Sequence, residues 1–203
     1  MGVFFIGICG GSGSGKTTLA EGLRKELGEQ RAVVLSQDSY YCDQSHLDQG
    51  ARDVLNFDHP ESVDFELLVE HLKRFEDKQS VMVPMYDFAT HTRSGATIQF
   101  QAEVVILEGH LIFHHHLVRN KLHLKVFLEN DMDILFIRRI LRDIKERGRT
   151  FEQITDQYLE YVRPMYLQYV LPSKQWADLA IRSEGALIGN IAEIVHRIHG
   201  KLR

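Results

Sequence analysis

Residues 10–18, GGSGSGKTT, stand between the apolar run VFFIGIC (3–9) and the helical pattern LAEGLRKEL (19–27). They fit G-x-x-x-x-G-K-[ST], with Gly10, Gly15, Lys16 and Thr17 in the fixed places. Glycines let a backbone fold so that successive N–H groups point inward and come close to an anion. The helix that follows aims its own N-terminal N–H groups and dipole at the same point. Lys16 adds a point charge, and the Thr17 hydroxyl offers a ligand to Mg2+. A flexible linker of similar composition would not need a buried strand before it and a helix after it. Gly10, Gly11, Ser12, Gly13, Ser14, Gly15, Lys16, Thr17 and Thr18 are therefore read as a cradle for a nucleoside triphosphate.

Outward from the loop, short apolar runs alternate with helical patterns. AVVLS (32–36), EVVILEG (103–109) and LKVFLE (124–129) read as buried strands, and LAI (179–181) as a short late one. Helices are expected over 17–27, 64–75, 133–148 and roughly 188–199. A long helical pattern from about Phe151 is interrupted at Pro164. In the helix over 133–148, Ile134, Ile137, Leu141 and Ile144 make the expected apolar face. VMVPMYDF (81–88) and ATIQF (96–100) read as a hairpin insertion, and 142–150 as a mobile loop. This alternation predicts an α/β, three-layer fold with a parallel sheet and helices on both faces, in one domain over 1–203.

Composition narrows the function. The chain of 203 residues carries 24 Lys+Arg against 28 Asp+Glu, a net charge of −4, which speaks against a general nucleic-acid binder. Cys9 and Cys42 have no spacing of a disulfide framework or zinc site, so a reducing cytoplasm is expected. Cys9 ends an apolar run and is expected to be buried. The first apolar run is too short to span a membrane and has no basic leader.

Three constellations bear on the fate of the γ-phosphate. In SQDSYY (36–41), Asp38 lies just past a buried strand, where open α/β sheets place ligands, and a carboxylate there can take a hydroxyl proton. A turn aspartate that merely caps a helix would look the same. In VVILEG (104–109), Glu108 ends the strand and can hold a magnesium-bound water, while Gly109 permits close backbone approach. In RRILRDIKERGR (138–149), five arginines crowd twelve residues of an acidic chain. They suit an arginine-rich lid that neutralises transferring phosphate, although a solvated charged helix shares the pattern. NFDHP (56–60) and MYDFATHTR (85–93) add Asp58, able to accept from sugar hydroxyls, and Tyr86, Phe88 and His91, able to hold a flat base.

Together GGSGSGKTT, LSQDSYY, NFDHP, YDFATHTR, VVILEG, RRILRDIKERGR, DQYLEYVRPM and LPSKQWAD resemble, in order and over nearly the whole chain, the uridine kinase (uridine–cytidine kinase) family. The resemblance implies a P-loop kinase fold and transfer of phosphate from ATP or GTP to the 5′-hydroxyl of uridine or cytidine. It implies Mg2+, a homotetramer, and neither nucleic-acid nor membrane partners. Asp38 would be the general base, with Lys16 and Arg142 also catalytic, and Asp58 would bind the ribose. Tyr86, His91 and Arg149 would read the pyrimidine, with Phe88 beside them, and Arg139 and Gln157 would also touch the nucleoside. Arg142 and Arg147 would hold phosphates, and Thr17 and Glu108 would serve the metal.

Four stretches depart from the family pattern. His110 follows Glu-Gly in place of an aliphatic residue, and His114-His115-His116 is expected as a solvent-facing helix start. ENDMD (129–133) replaces an Asp-Thr-Asp sequence, and EGALIGN (184–190) replaces a more polar stretch near the donor's base. A phosphoribulokinase-like enzyme would require a more basic acceptor site. A GTPase switch would require an Asn/Thr-Lys-x-Asp segment, and SKQWAD has the wrong spacing for one.

Overall fold

A computed structural model of the chain describes residues 2–183 and 187–201. Five parallel strands form the main sheet: β1 (Phe4–Gly10), β2 (Ala32–Ser36), β5 (Val104–Gly109), β6 (Leu124–Glu129) and β7 (Leu179–Arg182). Their spatial order is β2-β5-β1-β6-β7. β1 is buried along its whole length because its side chains feed two cores in alternation. Phe5 and Cys9 face one core, and Phe4, Ile6 and Ile8 the other.

The first core is closed by α3 (Phe65–Glu76) and α4 (His116–Lys121), through Leu68, Leu72, Phe75 and Val118. Each such side chain contributes about 1.5–3 kcal/mol on full burial. The second core is closed by α1 (Lys16–Leu27) and the last helix, α9 (Leu187–Lys201), through Leu19, Leu23, Ile194 and Ile198. The fold is thus the expected three-layer α/β arrangement. A two-stranded antiparallel hairpin, β3 (Val81–Asp87) and β4 (Thr92–Phe100), stands apart from the main sheet. Arg93 ties it to the body. Its guanidinium donates to the carbonyls of Tyr40 and Tyr41 and to Asp64 at 2.9–3.2 Å.

Three expectations need correction. The first concerns α5 (Met132–Arg147), whose predicted apolar face is turned outward. Ile137, Leu141 and Ile144 are 51%, 66% and 47% exposed, whereas Leu135, Arg139 and Asp143 are buried. The helix packs its charged stripe inward, because its arginines meet Ser12 of the phosphate loop and Gln157 and pair with Asp143 of the same stripe.

The second concerns 142–150. Residues to Arg147 are helical, and Gly148 ends the helix in the left-handed region at φ 62°. The third concerns Pro164, which does not interrupt the helix. α6 (Phe151–Gln157) continues through a π-type turn (Tyr158–Val162), α7 (Arg163–Met165), a second π-type turn (Tyr166–Val170) and α8 (Leu171–Ser173). It ends in a 3-10 turn at Lys174–Trp176. Pro164 and Pro172 each follow a π-type turn. Such i→i+5 pairing lets a carbonyl stranded by a proline accept from the next N–H instead. A short helix, α2 (Gln49–Asp53), completes the elements and was not foreseen.

Candidate active site

The loop after β1 keeps the conformation its glycines permit. Gly13 and Gly15 sit at φ 83° and 89°, and Gly15 opens α1. A Cβ on Gly13 would lie 2.8 Å from the Leu135 carbonyl, so the loop rests directly on α5. Lys16 Nζ donates to the Gly11 carbonyl at 3.0 Å, which curls the lysine back over the loop.

Beside it, parallel pairing places Ser36 opposite Glu108 at the carboxyl ends of β2 and β5. Ser36 Oγ donates to Glu108 Oε1 at 2.8 Å and accepts from the Asp38 backbone N–H at 3.3 Å. Thr17 Oγ1 donates to the same carboxylate oxygen at 3.4 Å. Burial raises the Glu108 carboxyl above its ordinary range, Lys16 opposes that rise, and Asp38 adds to it. Hydroxyl and carboxylate oxygens so arranged fit a hard divalent cation such as Mg2+. Among the described residues there is no separate cluster of three or more His, Cys, Asp or Glu side chains able to hold a metal.

A cleft opens next to the loop. It gathers Ser12, Lys16, Thr17, Asp38, Asp58, Tyr86, Phe88, His91, Glu108, Arg139, Arg142, Arg147, Arg149 and Gln157. These come from distant parts of the chain, and all are residues the motifs had singled out. Thr18 is not among them. It lines a second hollow with Gly13, Gly15 and Arg138, which shares Lys16, Thr17 and Arg142 with the first. Residues 184–186 of EGALIGN lie outside the described residues. Ser14 is buried beneath the loop.

On the hairpin side, the His91 ring stacks on Phe57 at 4.4 Å between centroids with 14° between planes. Tyr86 Oη lies 3.3 Å from His91 Nδ1, and Phe88 meets Tyr86 edge-on. His91 has φ 54°, an uncommon conformation for a residue with a side chain, at the hairpin tip. On the helix side, Arg139 donates to Ser12 Oγ (3.1 Å) and Gln157 Oε1 (2.7 Å), and Arg149 shares the Gln157 oxygen at 2.7 Å. Arg142 reaches Ser12 Oγ at 3.3 Å. Arg147 lies over the Phe88 ring, 5.0 Å from its centroid, and links the two walls. Burial raises the Asp58 carboxyl, while Arg139, Lys16, Arg147 and Arg142 oppose the rise.

Several residues were not foreseen. Asp143 is fully buried and accepts from Arg142 Nε at 2.8 Å, with Arg139, Arg147 and Arg149 at 3.6–3.8 Å. One carboxylate thus gathers four arginines. Nothing but its place inside a charge run marked it. Tyr41 and Phe57 also line the cleft, and each stands inside a quoted motif, three residues after Asp38 and directly before Asp58. Gly109 makes room for Gln37, whose Cβ would lie 2.4 Å from a Cβ added there. The histidine run is only partly as expected. His114 and His116 are exposed at the start of α4, but His115 stacks on Phe65 at 4.4 Å.

A phosphate loop, an acidic pair at the strand tips and converging arginines on this fold define a P-loop phosphotransferase. The sequence pattern of the family described as "Phosphoribulokinase / Uridine kinase family" matches residues 5–186, and the chain belongs to that family. A uridine kinase of Clostridium tetani is 42% identical over 200 residues, spanning 95% of this chain and 96% of its own. A uridine kinase of Deinococcus deserti is 46% identical over 183 residues, 90% and 88% of the two chains. Among solved structures, phosphoribulokinase from Rhodobacter sphaeroides superposes with TM-score 0.66 at 15% identity, covering 89% of this chain and 70% of that one. D-glycerate 3-kinase from Cryptococcus neoformans gives 0.65 at 19%, covering 89% and 85%. These two likenesses concern the fold. Among the described residues, no helix is long and apolar enough to cross a membrane.

Proposed function

We propose that the protein is a uridine/cytidine kinase. It transfers the γ-phosphate of ATP or GTP to the 5′-hydroxyl of uridine or cytidine, giving UMP or CMP. The observation that carries this acceptor is the stack of His91 on Phe57, with Tyr86 beside it, in the same cleft as Asp38 and Lys16. A flat heterocycle with polar edges is what such a wall receives. The relatives called uridine kinases support the same acceptor.

In this reading the triphosphate lies in the Gly10–Thr18 loop, with its γ-phosphate toward Asp38. Asp38 accepts the proton of the 5′-hydroxyl as its oxygen bonds to phosphorus. The bond from phosphorus to the β–γ bridging oxygen breaks, and the nucleoside diphosphate departs. Little covalent work falls to the protein in such a transfer, so positioning and charge neutralisation dominate. Lys16, Arg142 and Arg147 supply positive charge where it accumulates. Asp58 holds the sugar, and His91, Tyr86 and Arg149 hold the base. Thr17 and Glu108 are the residues that would hold Mg2+, which would supply positive charge to offset that of the phosphates. The reading includes a homotetramer in the cytoplasm.

The test is nucleoside-diphosphate release with magnesium and ATP, repeated with GTP. The acceptors are uridine, cytidine, adenosine and ribulose 5-phosphate, each against a blank without acceptor. Turnover confined to the pyrimidine nucleosides is expected, and the two donors compared will give the donor preference. Turnover with ribulose 5-phosphate, or release with no acceptor, would overturn the assignment.

A further inference from the structure

His110 stands at the tip of β5, directly after Glu108 and Gly109, and is 9% exposed. Its ring lines the cleft together with Asp58, Tyr41 and His91. None of the roles above uses it. Gln37 holds one ring nitrogen. The Leu111 backbone N–H donates to Gln37 Oε1 at 2.8 Å, which settles the orientation of the carboxamide, because only its oxygen can accept. The Gln37 NH2 group therefore faces His110 Nδ1, 3.3 Å away, and donates to it. A ring nitrogen that accepts a hydrogen bond carries no proton, so the imidazole is neutral in this arrangement. A neutral ring that accepts at Nδ1 carries its hydrogen on Nε2.

That Nε2–H is buried and has no hydrogen-bond partner among the described residues. It lies 3.9 Å from Asp58 Oδ1, too far for a hydrogen bond. A buried donor without a partner is destabilising, because it has given up its hydrogen bond to water. A hydroxyl oxygen about 2.8 Å from each atom would remove that cost, donating to Asp58 and accepting from His110. A carboxylate can only accept and this imidazole edge can only donate, so together they match both halves of a hydroxyl group.

We propose that His110 is a specificity-determining residue that, with Asp58, reads one of the vicinal hydroxyls of the acceptor's sugar. The assignment rests on the nucleoside-kinase reading, in which Asp58 faces the ribose. It makes a ribonucleoside the preferred acceptor, because an analogue lacking that hydroxyl leaves both groups unpaired. A purely packing role for His110 would make no such distinction.

The experiment compares kcat/KM for uridine, 2′-deoxyuridine and 3′-deoxyuridine in the unsubstituted enzyme, His110→Leu and His110→Gln. The leucine variant removes the donor. The glutamine variant places an amide N–H near the former Nε2. His110→Leu should lose roughly tenfold to a hundredfold on uridine and on the analogue that keeps the contacted hydroxyl. Activity on the analogue that lacks it should stay within about twofold, and His110→Gln should retain most of the discrimination. If the leucine variant does not fold, His110→Met takes its place. Equal losses on all three nucleosides, or none on any, overturn the assignment while leaving the kinase reading intact. No turnover of uridine by the unsubstituted enzyme overturns both.

Discussion

Replacing Asp143 with Asn tests whether one buried carboxylate organises the arginine side of the cleft. The carboxylate is fully buried, and its Oδ1 accepts from Arg142 at 2.8 Å. Arg147, Arg139 and Arg149 stand 3.6–3.8 Å from its two oxygens. Asparagine keeps the shape, removes the charge and turns an N–H toward guanidinium donors. Removing one partner of a buried ion pair costs about 3–5 kcal/mol. The side chains of Arg142, Arg147 and Arg149 are 31%, 28% and 24% exposed, so water recovers part of the loss. The lower end, about 3 kcal/mol, is therefore expected. For a chain of this size that lowers Tm by about 6–12 °C. Charge predicts a second signature. A bound polyphosphate supplies the missing negative charge, so inorganic tripolyphosphate should raise the Tm of the variant more than that of the parent. Thermal unfolding followed by circular dichroism, with and without tripolyphosphate, reads both effects. A Tm drop below about 2 °C, or equal ligand shifts in the two proteins, would refute the reasoning.

Other perturbations isolate the remaining parts. Asp38→Asn should leave nucleotide affinity nearly intact and lower kcat about a hundredfold or more, the scale of general-base loss. Near-normal turnover would remove Asp38 from that role. His91→Ala should raise KM for the nucleoside more than for the donor, and equal changes would count against base reading. Gly13→Ala places a Cβ 2.8 Å from the Leu135 carbonyl at φ 83° and should abolish tight nucleotide binding, measured by calorimetry. Unaltered affinity would mean that the loop's approach to α5 is not needed. The pH dependence of stability follows from His110. Its folded value of about 4 lies below the ordinary 6.5, so between those values the unfolded chain binds a proton that the folded chain does not. Stability from this group is complete above pH 6.5 and is lost as pH falls toward 4, by roughly 3 kcal/mol in all. Urea unfolding of His110→Leu should show a shallower loss over that window than the parent, and parallel curves would exclude the buried neutral imidazole.

The parts of this molecule that were legible in its sequence are those where hydropathy and geometry agree. β1 is apolar because both of its faces are covered, and the glycines after it have no ordinary use between a strand and a helix. Asp38 and Glu108 could be placed because a parallel sheet brings the tips of β2 and β5 together beside that loop. Helix α5 shows where this logic fails. An apolar stripe marks a buried face only when the surface opposite it is also apolar. Here the surface opposite is a phosphate loop and the Gln157 carboxamide, so Arg139 goes inside with Asp143 as its counter-charge and Leu141 stays out.

Burial of charge in pairs is invisible to a periodicity count, since each partner alone belongs at the surface. The same blindness hid the contacts of Ser36, Gln37 and His110, although His110 stood out as a departure from the family pattern. Each acts through a polar contact between residues 72 to 74 positions apart, and no local pattern announces such a contact. Pro164 failed for a different reason. A rule built on i→i+4 pairing has no place for a helix that changes to i→i+5 where a proline removes a donor. The lesson is directional. In a site that neutralises phosphate, an inward-facing charged stripe is the expected arrangement, and the exposed apolar stripe on the same helix is its geometric consequence.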